Sequence, residues 1–421
     1  MNNEKYLVVN CGSSSVKSQL IEIPASCDKK DVMKKARLIS KINVERIGEL
    51  GCNWTIKTNG QSINKTGDIN NHIDAVKTVV NELKENSIVG DLNEITAVGN
   101  RVLHGGETYK NSVLIDDEVI ENIKKYIDLG PLHQPKNLEG IECIKEMLDD
   151  VPQVAVFDTA FHQTIPMRNF LYPIPLEYYE KYGVRKYGFH GTSVHYIVKY
   201  MQEKLVKRNV NLIVCHIGSG ASITAVKDGK SYDTSMGLTP LDGLMMGTRS
   251  GSIDPSIIDY LKRVSGKKTA ELNKELNEKS GFYGIAGKND FRDIEKMAAA
   301  GDKHASIALD MFILSVSKYI SQYYSELEGK IDAIVFTAGI GENSNVFRKL
   351  VVDELKRSLG IVIDDSANDA IGGPNVLKEG LISSEYSKYK MYVVPTNEEL
   401  MIMYDTYKIV HEKEKTLVKS R

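Results

Sequence analysis

One local plan occurs twice along these 421 residues. Tyr6 to Asn10 is a short apolar run that reads as a buried strand. Cys11-Gly12-Ser13-Ser14-Ser15 then turns, and Val16 to Ile23 alternates as a returning strand. Asn211 to Cys215, the turn Gly218-Ser219-Gly220 and Ala221 to Val226 repeat the plan. Two strand–turn–strand hairpins opening two similar halves imply a duplication. A third strand, Ile334 to Phe336, runs into Thr337-Ala338-Gly339-Ile340-Gly341-Glu342-Asn343, after which Val346, Leu350, Val351 and Leu355 follow a helical spacing. Helix N-terminal amides beside a glycine loop favour an anion. Further helices are expected over Val119–Leu129, Asn137–Leu148, Ser193–Val206, Ala305–Leu327 and Glu398–Val410. Strands are expected over Ile95–Leu103, Val154–Phe157 and Met391–Val394. Helices and strands mixed through both halves give an α/β fold with helix-covered sheets. The halves are expected to pack around a cleft, and the lysine-rich tail Lys413–Arg421 is expected to fray.

The balance of charge narrows the function. Lys and Arg number 54 against 56 Asp and Glu, a formal net charge of −2, which gives no electrostatic pull toward nucleic acid or an anionic membrane. No uninterrupted apolar run is long enough for a membrane span, and the N-terminus carries no cleavage-site pattern. The five cysteines form neither a CxxC pair nor a zinc spacing. Scattered and odd in number, they fit reduced thiols in a cytoplasmic protein. Cys11 and Cys215 sit beside glycine turns and read as small buried hydrophobes.

The chemistry concentrates in glycine segments with embedded charge. His216 to Pro255 carries two, His216-Ile217-Gly218-Ser219-Gly220 and Gly247-Thr248-Arg249-Ser250-Gly251. Glycines let backbone amides approach an anion, and an arginine among them supplies a planar fork for phosphate or carboxylate. Gly229-Lys230-Ser231 is not a P-loop, because Thr224 stands where that motif needs glycine. Gly339-x-Gly341 lacks the third glycine of a dinucleotide fingerprint. Asn10 and Asp158 end apolar strands, where function gathers in α/β proteins. Arg101 lies in a strand closing on Gly105-Gly106, a placement suited to anion binding. His190, between Phe189 and Gly191-Thr192-Ser193, and His133, between Leu132 and Gln134, are candidate site residues. His72, His304 and His411 are read as structural.

Taken together, Asn10 to Lys17, Arg101 to Glu107, Pro131 to His133, Asp158 to His162, Gly188 to Ser193, His216 to Pro255, Phe336 to Asn343 and Pro395 to Glu399 resemble the acetate kinase family, nearly end to end and in order. The resemblance implies two duplicated actin-like ATPase (ribonuclease-H-like) domains holding nucleotide between them. Their expected extents are residues 1–158 with 399–421, and 159–398, the second carrying nucleotide loops and a homodimer interface. It implies reversible transfer of the ATP phosphoryl group to acetate with Mg²⁺ or Mn²⁺. Arg101 and Arg249 would hold the carboxylate and spread transition-state charge. His190 would meet the transferring phosphoryl with His133 nearby, and Asn10 and Glu398 would organise the metal. Lys17, Ser13 and Ser15 would face phosphates. His216, Ile217, Gly218, Ser219, Gly220, Asp290, Phe291, Arg292, Gly339, Ile340, Gly341, Glu342 and Asn343 would cradle the nucleotide. Leu103, Leu132, Phe189 and Pro240 would take the acetate methyl. Acetate is already ionised at neutral pH, so Asp158 is expected to orient metal or water rather than to remove a proton. Ser219, Asn100, Ser252 and Ser315 depart from the family's usual Asn, His, Asp and Arg. Rival readings are a propionate or butyrate kinase, a GTP or pyrophosphate donor, and an actin-like or chaperone-like ATPase switch.

Overall fold

One sheet plan serves both parts of the chain. The computed structural model describes residues 3–131, 133–373 and 377–419. They form two compact units, Met1–Phe161 with Asn397–Arg421, and His162–Thr396. In the first, β1 (Glu4–Cys11), β2 (Ser15–Ile23), β3 (Arg37–Glu45), β4 (Cys52–Thr58), β5 (Gln61–Gly67), β6 (Ile95–Val102), β7 (Val113–Leu114) and β8 (Gln153–Phe157) pair in the order β5-β4-β3-β2-β1-β6-β8-β7. In the second, β9 (Leu212–Ile217), β10 (Ala221–Lys227), β11 (Lys230–Thr234), β12 (Ala333–Thr337), β13 (Gly380–Leu381) and β14 (Lys390–Val393) pair in the order β11-β10-β9-β12-β14-β13.

The central strands correspond one for one. β3-β2-β1-β6-β8 and β11-β10-β9-β12-β14 share one order, an antiparallel hairpin and third strand followed by two strands parallel to the first. This is the duplication that the paired hairpins implied, on the actin-like α/β plan that the family resemblance implied.

Alternation along β1 explains the layering. Leu7, Val9 and Cys11 face a core with Val76, Val79, Val80 and Leu83 of the helix His72–Glu85 and Ile144 of the helix Gln134–Met147. Tyr6 and Val8 face the opposite core with Ile402, Met403 and Tyr407 of the helix Glu398–Lys419. Each fully buried branched side chain contributes about 1.5–3 kcal/mol, so covering both faces fixes the register of β1. In the second unit, Phe282, Phe291, Phe312, Phe336 and Phe347 form one aromatic cluster with centroids 4.9–6.2 Å apart.

Two expectations change. The glycine segment after β12 is a helical turn, Ala338–Asn343, rather than an open loop. The next helix, Asn345–Leu359, has its N-terminus capped by Ser344, whose Oγ accepts from Phe347 N at 3.0 Å. The last helix continues past the expected end at Val410 to Lys419. Residues 420 and 421 of the lysine-rich tail lie outside the described residues.

Candidate active site

Parallel strands of the first unit carry polar residues at one end. In the first unit, Val9 pairs with Asn100 and Val102 with Phe157, so Asn10, Arg101 and Asp158 gather at one end of β1, β6 and β8. Lys17 lies directly across the hairpin from Asn10. Arg101 Nη2 donates to Asp158 Oδ2 at 3.1 Å, and Asp158 is 1 % exposed. Burial opposes the charge on Arg101, but Asp158 and then Glu398 outweigh it and raise its pKa. Its Nε is buried without a hydrogen-bond partner among the described residues. Glu398 opens the last helix, and burial followed by the Asp158 charge pushes its carboxyl up to about 7. Two acids therefore share one guanidinium. Ser13 is exposed in its turn and Ser15 half-buried. His133 is the residue before the helix Gln134–Met147, and Leu103 is buried at the end of β6. Leu132 lies outside the described residues.

The second unit assembles four loops. Gly218 lies so close to the turn after β12 that an added Cβ would stand 3.7 Å from Ala338 Cβ and 3.8 Å from Gly339 N. Gly247 N donates to Ser219 O at 3.5 Å, and a Cβ on Gly247 would meet Asn289 O at 2.9 Å. A Cβ on Gly220 would stand 3.5 Å from both Arg249 Nη1 and His190 Nε2. The Arg249 and His190 side chains thus both lie beside the glycine turn. His190 stacks on His216 at 4.0 Å, and its Nδ1 shares a 2.9 Å hydrogen bond with Ser222 Oγ. Arg249 Nη1 donates to Pro240 O at 3.4 Å. Burial lowers the Arg249 pKa, and no carboxylate pairs with it among the described residues. A half-buried guanidinium without an acid beside it favours the approach of an anion.

Some expected contacts are placed differently. Phe291 is core, 4 % exposed, and Ile217 is fully buried, leaving only their backbone to meet a ligand. Phe189 is also packed away, at 1 % exposure. The Glu342 carboxylate turns back into its own unit and accepts from Ala338 N at 2.7 Å and Thr396 N at 3.0 Å. Asp290 caps the helix Phe291–Ala299 and pairs with the exposed Arg292 at 2.6 Å, which holds its carboxyl down to about 2.

Residues 5–404 match the acetokinase family. The chain belongs to that family. It is 47% identical over 414 residues to the acetate kinase of Carboxydothermus hydrogenoformans, covering 97% of this chain and 100% of that one. The acetate kinase of Thermoanaerobacterium thermosaccharolyticum is 49% identical over 412 residues, covering 96% and 99%. Among solved structures, a propionate kinase from Francisella tularensis superposes with a TM-score of 0.88 at 42% identity, covering 96% of this chain and 100% of that one. Porphyromonas gingivalis acetate kinase gives 0.87 at 40% identity, covering 97% and 100%. This acetokinase is a phosphotransferase with a carboxyl acceptor.

Buried amides that sequence reasoning passed over support these strand ends. Asn137 accepts from Leu103 N at 3.0 Å and donates to Cys11 O at 2.9 Å, tying the end of β1 to the end of β6. Gln134 does the same for both backbone groups of His104. The available signal was an asparagine at the inward phase of Leu138, Ile141 and Ile144.

Proposed function

We propose that this acetokinase transfers the γ-phosphoryl group of ATP to acetate, reversibly and with Mg²⁺. The observation that carries the reading is Arg249, half-buried, without an acidic partner among the described residues, and set beside Gly220 together with His190. An anion arriving there gains a charge-assisted hydrogen bond and relieves a desolvated cation. Arg249 orients the transferring group and His190 donates to it. Arg101, held by Asp158, steers the acceptor carboxylate. Asp158 thus acts as an orienter, since acetate has no proton to lose near neutrality.

The donor set suits a divalent cation. Asp158 and the buried Glu398 set two carboxyl groups beside Arg101, with burial and then the Asp158 charge raising the Glu398 carboxyl. Few oxygen donors fit Mg²⁺, which keeps waters and substrate phosphate oxygens around it. Asn10 and Glu398 would hold it. Bound there, it would neutralise charge on the phosphates.

Two further features support parts of the reading. Ile307, Met311 and Leu314 form an exposed stripe on the helix Lys303–Glu326, and Met311 and Leu314 line a cavity of about 670 Å³ with Ile253 and Ile285. Such a face suits a second copy of the chain. Four of the five thiols are buried and none is paired, which favours a reducing, cytoplasmic setting.

The test is hydroxamate trapping of acyl phosphate with acetate, propionate and butyrate, each with ATP, GTP or pyrophosphate. Acetate with ATP is expected to give the largest kcat/KM. A larger value for propionate would move the acceptor to the chemistry named in the Francisella tularensis protein. Acid-independent ATP hydrolysis without acyl phosphate would overturn the reading.

A further inference from the structure

Glu342 connects two segments that sequence reasoning treated separately. Its Oε1 accepts from Ala338 N at 2.7 Å, from Thr396 N at 3.0 Å and from Thr337 Oγ1 at 3.4 Å. Ala338 has φ of 65°, a left-handed conformation that costs a non-glycine residue free energy. The carboxylate therefore holds a strained turn at the start of the glycine segment. The far end of that segment is gripped by Arg348, fully buried, whose Nη1 donates to Gly341 O and Glu342 O at 3.0 Å each. Its other donors reach Asn368 and Ile371.

Thr396 is where the chain leaves the second unit, two residues before Glu398. Its hydroxyl shares a 2.6 Å hydrogen bond with Ser193 Oγ, which shares one of 2.8 Å with His216 Nδ1. His216 in turn stacks on His190. One carboxylate thus fixes the glycine turn, the residue leading to Glu398, and through Ser193 the imidazole beneath His190.

We propose that Glu342 is a positioning residue that couples nucleotide binding at the Ala338–Asn343 turn to the placement of the Thr396–Glu398 segment. This rests on the phosphoryl-transfer reading above. Nucleotide that settles the turn settles Thr396 through the same oxygen, and loosening either loosens both.

The test compares Glu342→Ala and Glu342→Gln with the parent enzyme, using amide hydrogen exchange, ADP binding without metal, and steady-state kinetics. Losing hydrogen bonds to a charged acceptor is expected to weaken ADP binding about tenfold in E342A and to lower kcat by a similar factor. The amides of Ala338 and Thr396 should exchange faster together, and ADP should protect both in the parent. E342Q keeps an acceptor oxygen and should recover most of both losses. Faster exchange at Ala338 with Thr396 unaffected would overturn the coupling. A lower melting temperature with unchanged ADP affinity and kcat would reduce Glu342 to a structural role. Failure of the parent to bind ADP at all would instead overturn the phosphoryl-transfer reading, leaving the paired exchange behaviour to be judged separately.

Discussion

Arg249 and Arg101 show how one residue type serves two ends. Arg101 lies in a strand, is 14 % exposed, and has its charge met by Asp158 at 3.1 Å. Arg249 lies on a loop held by backbone and hydroxyl contacts: Met246 N donates to Arg249 O at 3.0 Å, Ser280 N to Thr248 O at 2.9 Å, and Thr248 Oγ1 to Asn277 O at 2.9 Å. That loop turns at Gly251, where φ is 71° and a Cβ would stand 2.6 Å from Gly243 O, so only glycine fits. Arg249→Lys keeps the charge and loses the planar fork. It is expected to lower kcat about 100-fold or more. Because the guanidinium has no acidic partner among the described residues, the melting temperature should stay within a degree or two of the parent's. A variant with kcat within a few-fold of the parent would remove Arg249 from transition-state contact. The arginine was legible because charge embedded among glycines is unusual in a short window. The turned-back carboxylate of Glu342 was not, because its partner Thr396 is remote in sequence.

Elements with apolar strands were legible; polar ones were passed over. β5 reads Gln61-Ser62-Ile63-Asn64-Lys65-Thr66-Gly67 and is an edge strand, so half of its surface meets water and its sequence carries little periodic signal. What anchors it is Glu82 of the helix His72–Glu85, whose side chain is 5 % exposed. Glu82 accepts from Lys65 Nζ at 2.7 Å, Trp54 Nε1 at 2.8 Å and Asn86 Nδ2 at 2.7 Å. Burial alone would raise its carboxyl, but Lys65, Trp54 and Asn86 together hold it below the ordinary value. A carboxyl depressed on folding stabilises above its unfolded pKa, and that stability fades as pH falls through the lower folded value. Glu82→Gln is therefore expected to cost about 1–3 kcal/mol at neutral pH, with the difference from the parent shrinking as pH drops below the ordinary carboxyl range. Trp54 is the only tryptophan, so its fluorescence during urea unfolding reports the event directly. A pH-independent difference would show that lost packing, not charge, is responsible.

At the scale of the whole molecule, duplication and assembly are separate questions. The duplication is visible in two sheets whose central five strands share one order and pairing sense. The proposed assembly rests on the stripe Ile307, Met311 and Leu314, which are 51 %, 48 % and 45 % exposed. Sedimentation equilibrium is expected to return twice the 46.9 kDa chain mass, and Met311→Glu to return one chain. A parent protein that sediments as one chain at micromolar concentration would leave the stripe without a second copy.

By itself the sequence determined the alternation of strands and helices, the doubled hairpin, and which strands end on Asn10, Arg101, Asp158 and His216. Those are local properties, since the period of apolar residues and the φ demands of glycine act within a few positions. Tertiary structure alone decided that Phe291 is core, that Asn137 bridges β1 to β6, that Arg348 grips the glycine turn and that Glu342 faces Thr396. A buried polar group must find its partner wherever the fold brings one, and that partner is set by packing rather than by sequence neighbours.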